Sequence, residues 1–349
     1  MKLQYVGAAL VLGGLCFLGG CAKSGDSTTT ASSNSSTSGT SGAKQSVVYI
    51  PKNTGNAYFD SVITGFEKAG KEKGFDFTTV APANASATSQ IDFIKQQIQR
   101  GVNAIAISPN SPDALVPVLK EAMGKGIKVV TIDADLEKNE NARDAVVLPV
   151  DFSIIGTSQI DLMSSLIGGK GDIAILSATT DAPNQNAWIA GMKKALTLPK
   201  YKGIKLVEVV YGDDEPQKSQ RETEALLTKF PNLKGIIAPT SVGLVAAAQA
   251  LETAQVAKKV QLTGLGLPNQ MRRFVQNGTV QKFALWDPGK MGYAAGYLIA
   301  GMFDKSVKAA PGGSFKAGDL GSLKFGDKNT VVAGPPLVFD AKNIDHYKF

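Results

Sequence analysis

The chain has 349 residues, with 37 Lys and Arg against 30 Asp and Glu, for a net charge of +7. The lysines are dispersed, with no basic helix and no basic residues interleaved with aromatics, so the charge describes a solvated surface and excludes nucleic-acid binding. Cys16 and Cys21 are the two cysteines and His346 in the tail is the one histidine, which removes disulfide, zinc-thiolate and cysteine-nucleophile chemistry from everything after residue 21.

The first element is a leader. Lys2 opens a short positive region, and an apolar run over 6–18 ends in Leu18-Gly19-Gly20-Cys21. That run is too short to span a bilayer as a finished helix and suits the core of an export signal. Small residues directly before a cysteine form the bacterial lipobox pattern, so 1–20 is expected to be a signal peptide and Cys21 the lipidated N-terminus. An ordinary signal peptide with an incidental cysteine, or a short membrane anchor, are the other readings. Residues 21–45 are mostly Ser, Thr, Gly and Ala, without a large apolar side chain. Such a segment cannot bury enough surface to offset its ordering entropy and is expected to be a flexible tether. The body beyond it, about 300 residues, is larger than one usual domain.

The body alternates strand and helix patterns. Strands are expected at 46–50, 75–80, 104–107 and 128–132. Between them come helices at 60–73, at 89–101 with Ser89 as cap, and at 112–123. The rhythm restarts with a helix at 152–167. Strands are then expected at 172–176, 205–211, 235–238, 261–266 and 281–285, with helices at 185–196, 217–229, 243–253, 269–276 and 291–303. Short units whose strands are buried on both faces imply parallel sheets with right-handed crossovers. Two such runs make an α/β protein of two doubly wound lobes. The Gly-rich stretch 311–349 reads as strands and turns, and its apolar 336–339 segment can return to the second lobe. No run after the leader reaches the ~18 apolar residues of a membrane span.

In doubly wound sheets, ligands bind beyond the carboxyl ends of the strands. That rule selects the loops 51–59, 109–111, 133–135, 179–188, 212–214, 239–241, 266–268 and 286–287. They are rich in Asn, Asp, Gln, Thr, Ser and Trp, which supply short hydrogen-bonding arms and flat apolar faces. A sugar needs both, since its hydroxyls donate and accept and its C–H face stacks on an indole. Lys52, Tyr58, Phe59 and Trp286 are candidate pocket residues. Asp133 and Asp135 either bind hydroxyls or cap the next turn, Asp213 and Asp214 read as turn and cap, and Trp188 reads as core packing. No catalytic constellation is present: there is no GxSxG elbow, no P-loop, and the GxG at Gly264–Gly266 lacks its third glycine. No enzyme activity, cofactor or metal is expected.

Taken together, Ile50-Pro51-Lys52 with Tyr58-Phe59, Ser111-Pro112-Asp113, Asp133-Ala134-Asp135, Asn184-Gln185-Asn186-Ala187-Trp188, Ile236-Ile237-Ala238-Pro239, Leu285-Trp286-Asp287 and the closing Val338–Ile344 stretch resemble the type I periplasmic sugar-binding proteins of ABC transporters. The resemblance is narrower with the rhamnose-binding proteins and autoinducer-2 receptors. It implies two Rossmann-like lobes joined by a three-stranded hinge, crossing near Val150–Asp151, Trp286–Asp287 and Thr330–Val332. The lobes are expected at 46–150 plus 287–330, and at 151–286 plus 331–349. In the autoinducer-2 receptors a lysine, an aspartate, an Asp-Gln pair and backbone near an Ala-Pro-Asp-Ala turn hold the ligand. Lys52, Asp133 or Asp135, Gln185 and Pro239 match these positions. Asn184 replaces an aspartate and Thr240-Ser241 replaces the turn's Asp-Ala, which counts against autoinducer-2, while Asn184-Gln185-Asn186-Ala187-Trp188 with Gly266-Leu267-Pro268 is closer to the rhamnose-binding members, so the resemblance implies L-rhamnose. The expected ligand-binding set is Lys52, Asn53, Tyr58, Phe59, Asn110, Asp133, Asp135, Asn184, Gln185, Pro239, Ser241, Leu267, Trp286 and Asp287. The implied protein is a monomer, lipid-anchored at the extracytoplasmic face, that delivers a monosaccharide to a permease. A receptor that reports its sugar or autoinducer-2 to a signalling system is the alternative, and a transcription regulator of this fold is excluded by the lipobox.

Overall fold

Residue-by-residue alternation builds the first sheet. The computed structural model describes residues 44–349, so the leader, Cys21 and nearly all of the expected tether lie outside the described residues. From the N-terminus the order is β1 (Ser46–Ile50), α1 (Ala57–Lys73), β2 (Asp76–Thr79), α2 (Ile91–Arg100), β3 (Ala104–Ile107), α3 (Val116–Gly124), β4 (Lys128–Ile132) and β5 (Ala145–Leu148). In β1, β3 and β4 the row Val48, Ile105, Val129 packs under α2 and α3, while the next row, Tyr49, Ala106, Val130, faces the other way. Both faces are buried, as a parallel sheet requires.

The second run is α4 (Phe152–Ile167), β6 (Gly171–Ser177), α5 (Pro183–Leu196), β7 (Ile204–Tyr211), α6 (Pro216–Lys229), β8 (Leu233–Ala238), α7 (Ser241–Thr253), β9 (Gln261–Gly264), α8 (Pro268–Gln276) and β10 (Lys282–Leu285). Then follow α9 (Pro288–Phe303), β11 (Ser314–Lys316), β12 (Ser322–Lys324), β13 (Thr330–Val332) and β14 (Leu337–Asp340). The first sheet is parallel in the order β13-β5-β4-β3-β1-β2, and the second is parallel in the order β7-β6-β8-β9. β14 runs antiparallel to β10. Gly266 N donates to Ala284 O, so this pair extends the edge of the second sheet.

Two lobes result. α9 returns to the first lobe and packs on α1, where a Cβ on Gly65 would lie 2.0 Å from Gly289 O. In the second lobe α4 and α5 touch as closely, because a Cβ on Gly156 would meet Gly191 C at 2.3 Å. The chain passes between the sheets three times: after β5, after β10 and after β13.

Several local expectations need correction. Residues 145–148 form β5, a strand that the sequence pattern alone passes over. β13 belongs wholly to the first sheet, so the third crossing lies in 333–336 rather than 330–332. Ser89 does not cap α2; its hydroxyl donates to Ser86 O and accepts from Asn110. α3 begins at Val116, after turns over 112–115. Helices α5, α6, α8 and α9 each start on a proline, earlier than expected. Proline at the first helical position loses nothing, because that N–H has no partner inside the helix. Among the described residues no helix is long and apolar enough to cross a membrane.

Candidate functional site

Loops from both lobes meet around one cavity. It offers about 40 Å3 to the centre of a water molecule, more than one water occupies. The first lobe contributes Lys52, Asn56, Tyr58, Phe59 and Asp133. Lys52 follows β1, Asn56 caps α1 by accepting from Tyr58 N at 3.1 Å, and Asp133 follows β4. The second lobe contributes Asn184, Gln185 and Trp188 from α5, Asp214 ahead of α6, and Pro239, Thr240 and Ser241 at the start of α7. Ala178, Leu265, Leu285 and Trp286 complete the wall.

Hydrogen bonds tie the two lobes across this cavity. Lys52 Nζ donates to Asn184 Oδ1 at 2.8 Å, and Asn184 Nδ2 donates to Asp133 Oδ2 at 3.1 Å. Tyr58 OH donates to Asp133 Oδ1 at 2.6 Å and accepts from Trp286 Nε1 at 2.7 Å. Both oxygens of Asp133 are therefore engaged. Asp214 accepts from Thr240 Oγ1. The rings form a continuous wall: Tyr58 lies 6.4 Å from Trp286, and Trp286 lies 5.7 Å from Trp188. Such a wall presents flat apolar area with polar tips.

The electrostatics follow from burial. Lys52, Asp133 and Asp214 are all at most 8% exposed. Burial pushes the Lys52 ammonium below its ordinary range, and Asp133 and Asp214 oppose that shift. Burial raises the Asp133 carboxyl, against the pull of Lys52 and of the Tyr58 hydrogen bond. Asp214 is raised for the same reason, opposed by Thr240 and Lys52. The Tyr58 hydroxyl is raised by burial and by the adjacent Asp133, so it stays a donor.

Nine of the expected residues line the cavity together: Lys52, Tyr58, Phe59, Asp133, Asn184, Gln185, Pro239, Ser241 and Trp286. Gln185 lines it with its amide engaged, donating to Pro239 O at 2.6 Å and accepting from Ser177 Oγ. It therefore sets the turn before α7. Five expected residues lie off the wall. The Asp135 carboxylate is bound by Arg143 and Thr131 on the first lobe. Asp287 caps α9 through Gly289 N and Lys290 N. Asn110 braces the loop after β1 by donating to Lys52 O at 2.9 Å. Asn53 is buried beside Lys52, and Leu267 is a core residue at the N-cap of α8.

The expected ligand-binding set leaves out seven residues of this wall: Asn56, Trp188, Asp214 and Thr240, which lie in the selected loops, and Ala178, Leu265 and Leu285, which lie just before them. The signal for Trp188 was its spacing: four residues after Asn184 on a helix places both on one face. Gln90 also escaped notice. It is fully buried and fastens two first-lobe loops, donating to Pro51 O and Ser108 O and accepting from Asn110 N. Among the described residues no group of three or more His, Cys, Asp or Glu side chains could hold a metal.

Two α/β lobes closed on a polar, aromatic-walled cavity define a binding protein of the periplasmic type. Residues 47–305 match the periplasmic binding protein domain family. The chain belongs to that family, in the branch of sugar-binding proteins that serve ABC transporters. It is 35% identical to an ABC-transporter solute-binding protein of Clostridium phytofermentans with bound L-rhamnose, over 87% of this chain and 98% of that one, with a TM-score of 0.84. It is 44% identical to a sugar ABC transporter protein of Actinomyces odontolyticus, covering 87% and 98%, with a TM-score of 0.70. Against LsrB of Clostridium saccharobutylicum in complex with AI-2 the identity is 25%, covering 87% and 100%, with a TM-score of 0.81.

Proposed function

We propose that this chain is a lipid-anchored solute-binding protein that captures L-rhamnose between its lobes and hands it to an ABC-transporter permease. The observation that carries the reading is the cavity itself. Charged and amide arms from both lobes face two indoles and a tyrosine, and hydroxyls with a C–H face match that mixture. Ala178, Leu265 and Leu285 add a small apolar wall, which suits the methyl group of a deoxyhexose. The L-rhamnose complex of the Clostridium phytofermentans relative supports the same choice.

The lobes in this reading are 46–150 with 287–332, and 151–286 with 337–349, with 333–336 as the third crossing. Ligand that touches both lobes favours the closed form by its differential affinity, so capture is a population shift. The permease recognises that form of a monomer held at the extracytoplasmic face by lipid on Cys21. Mass spectrometry of the native protein tests the anchor: a diacylglyceryl adduct on Cys21 is expected, and an unmodified Cys21 contradicts it.

The LsrB relative supports a second reading, a receptor for autoinducer-2 or a sugar that informs a signalling system. A thermal-shift screen separates the two, because a ligand that binds only the native state raises the melting temperature. L-rhamnose should give a large shift and autoinducer-2 a small one. The reverse order would favour the receptor.

A further inference from the structure

The second lobe holds two polar atoms in the cavity that no protein group satisfies. Trp188 is 2% exposed and lines the wall, and its Nε1 has no hydrogen-bond partner among the described residues. Asp214 lines the same wall, with Thr240 Oγ1 on its Oδ1 and no donor on Oδ2 among the described residues. The indole N–H is a buried donor without a mate, a kind of group that is rare unless something binds it, and the Asp214 oxygen is an acceptor that no protein donor reaches. Asp213 and Asp214 both hold a left-handed backbone, at φ 55 in each. Asp is among the few side chains that adopt that conformation readily, and Asp214 is buried on the wall.

The charges around the cavity explain what the pair can accept. Each Asp133 oxygen already accepts one protein hydrogen bond, from Tyr58 or from Asn184, and keeps a lone pair for ligand, and Lys52 is the one ammonium on the wall against two carboxylates. The carboxylate with an oxygen that no protein donor reaches is therefore Asp214. A ligand hydroxyl can donate to its free oxygen, and a second lone pair can accept from the indole N–H. A ligand carboxylate can accept from the indole but cannot donate to Asp214, and it meets like charge in a site with little water to screen it. We infer that Asp214, together with the Trp188 indole N–H, is the second-lobe hydroxyl-binding pair and the element that selects neutral sugars over sugar acids. This rests on the reading of the cavity as a monosaccharide site.

Calorimetry with L-rhamnose and D-galacturonate on the full mature chain tests it, in the wild type and in Asp214→Asn, Trp188→Phe and Asp133→Asn. Asparagine tolerates the left-handed backbone, and phenylalanine keeps the ring while removing the N–H. L-rhamnose should bind the wild type and weaken tenfold to a hundredfold in Asp214→Asn, the loss expected for a hydrogen bond to a charged group. Its preference over D-galacturonate should narrow by at least tenfold in that variant. Trp188→Phe should also weaken L-rhamnose without changing that preference, and it carries the test alone if Asp214→Asn does not fold. Weakening confined to Asp133→Asn would overturn the inference and leave the cavity as the sugar site. Unchanged affinity in all three variants, or no L-rhamnose binding by the wild type, would overturn the inference and the sugar reading together.

Discussion

Asn184 Nδ2 donates to Asp133 Oδ2 at 3.1 Å across the cleft, while Asn184 Oδ1 accepts from Lys52 Nζ at 2.8 Å. One amide thus serves an ammonium and a carboxylate at once, which a carboxylate in its place could not do. Asn184→Asp would set a second carboxylate against Asp133, and two such groups cannot both stay ionised without cost. L-rhamnose affinity is expected to fall at least tenfold at neutral pH, with partial recovery in mild acid as one of the two takes up a proton. Calorimetry at two pH values checks this. An unchanged affinity at both would mean that the Asn184–Asp133 contact plays no part in binding.

Tyr58 links two groups that have no substitute for it. Its hydroxyl donates to Asp133 Oδ1 and accepts from Trp286 Nε1. Tyr58→Phe keeps the ring but leaves a buried carboxylate oxygen and an indole N–H without a partner, at about 1–3 kcal/mol for such a group. A melting temperature several degrees lower and weaker ligand binding are expected together. Differential scanning calorimetry with and without L-rhamnose reads both, and a wild-type melting temperature would argue against the bond.

The contact between α1 and α9 depends on absent side chains. A Cβ on Gly65 would lie 2.0 Å from Gly289 O, which is backbone and cannot rotate away. Gly65→Ala should cost about 1–3 kcal/mol, the usual range for overpacking. Gly124→Ala is the matched control, because nothing lies within 4 Å of the added methyl near the end of α3. It should be neutral or mildly stabilising, since alanine favours helix over glycine by up to about 1 kcal/mol. Urea titration of both variants decides the point, and equal effects would contradict the close approach.

Burial raises the Asp133 and Asp214 carboxyls in the folded protein. Above the ordinary carboxylate range the unfolded chain has already released these protons while the folded chain still holds a share of them. The folded state then binds more protons, so this pair makes stability fall as pH rises from the ordinary range through the raised one. Asp214→Asn removes one of the two groups and should flatten that slope. Urea unfolding at several pH values measures it, and parallel wild-type and variant curves would contradict the shift at Asp214.

Much of this was legible in the sequence because strand and helix periods alternate over most of residues 46–303. The miss at 145–148 has a simple cause. Four apolar residues closed by Pro149 carry no period, and only pairing with β4 and β13 makes them a strand. Asp133 and Asp135 look alike in sequence. The left-handed turn at Asp133, φ 67, separates them, and Arg143, eight residues beyond Asp135, claims the second carboxylate. Gln185 was legible as a site residue, but its duty toward Pro239 was not, since that partner lies on another loop. Pairing across space, not residue type, is what the sequence withholds here.

Lys52 and Asp133 of the first lobe and Asn184 of the second are expected to hold one monosaccharide between them. Isothermal titration of the mature protein with L-rhamnose, in the wild type and in Asp133→Ala, tests this most directly. Saturable binding of one sugar per chain is expected in the wild type, weakened at least tenfold in the variant, which loses a charged acceptor worth about 1.5–3 kcal/mol. Absence of binding to any monosaccharide, or equal affinity in the two proteins, would mean that these three residues do not hold a sugar.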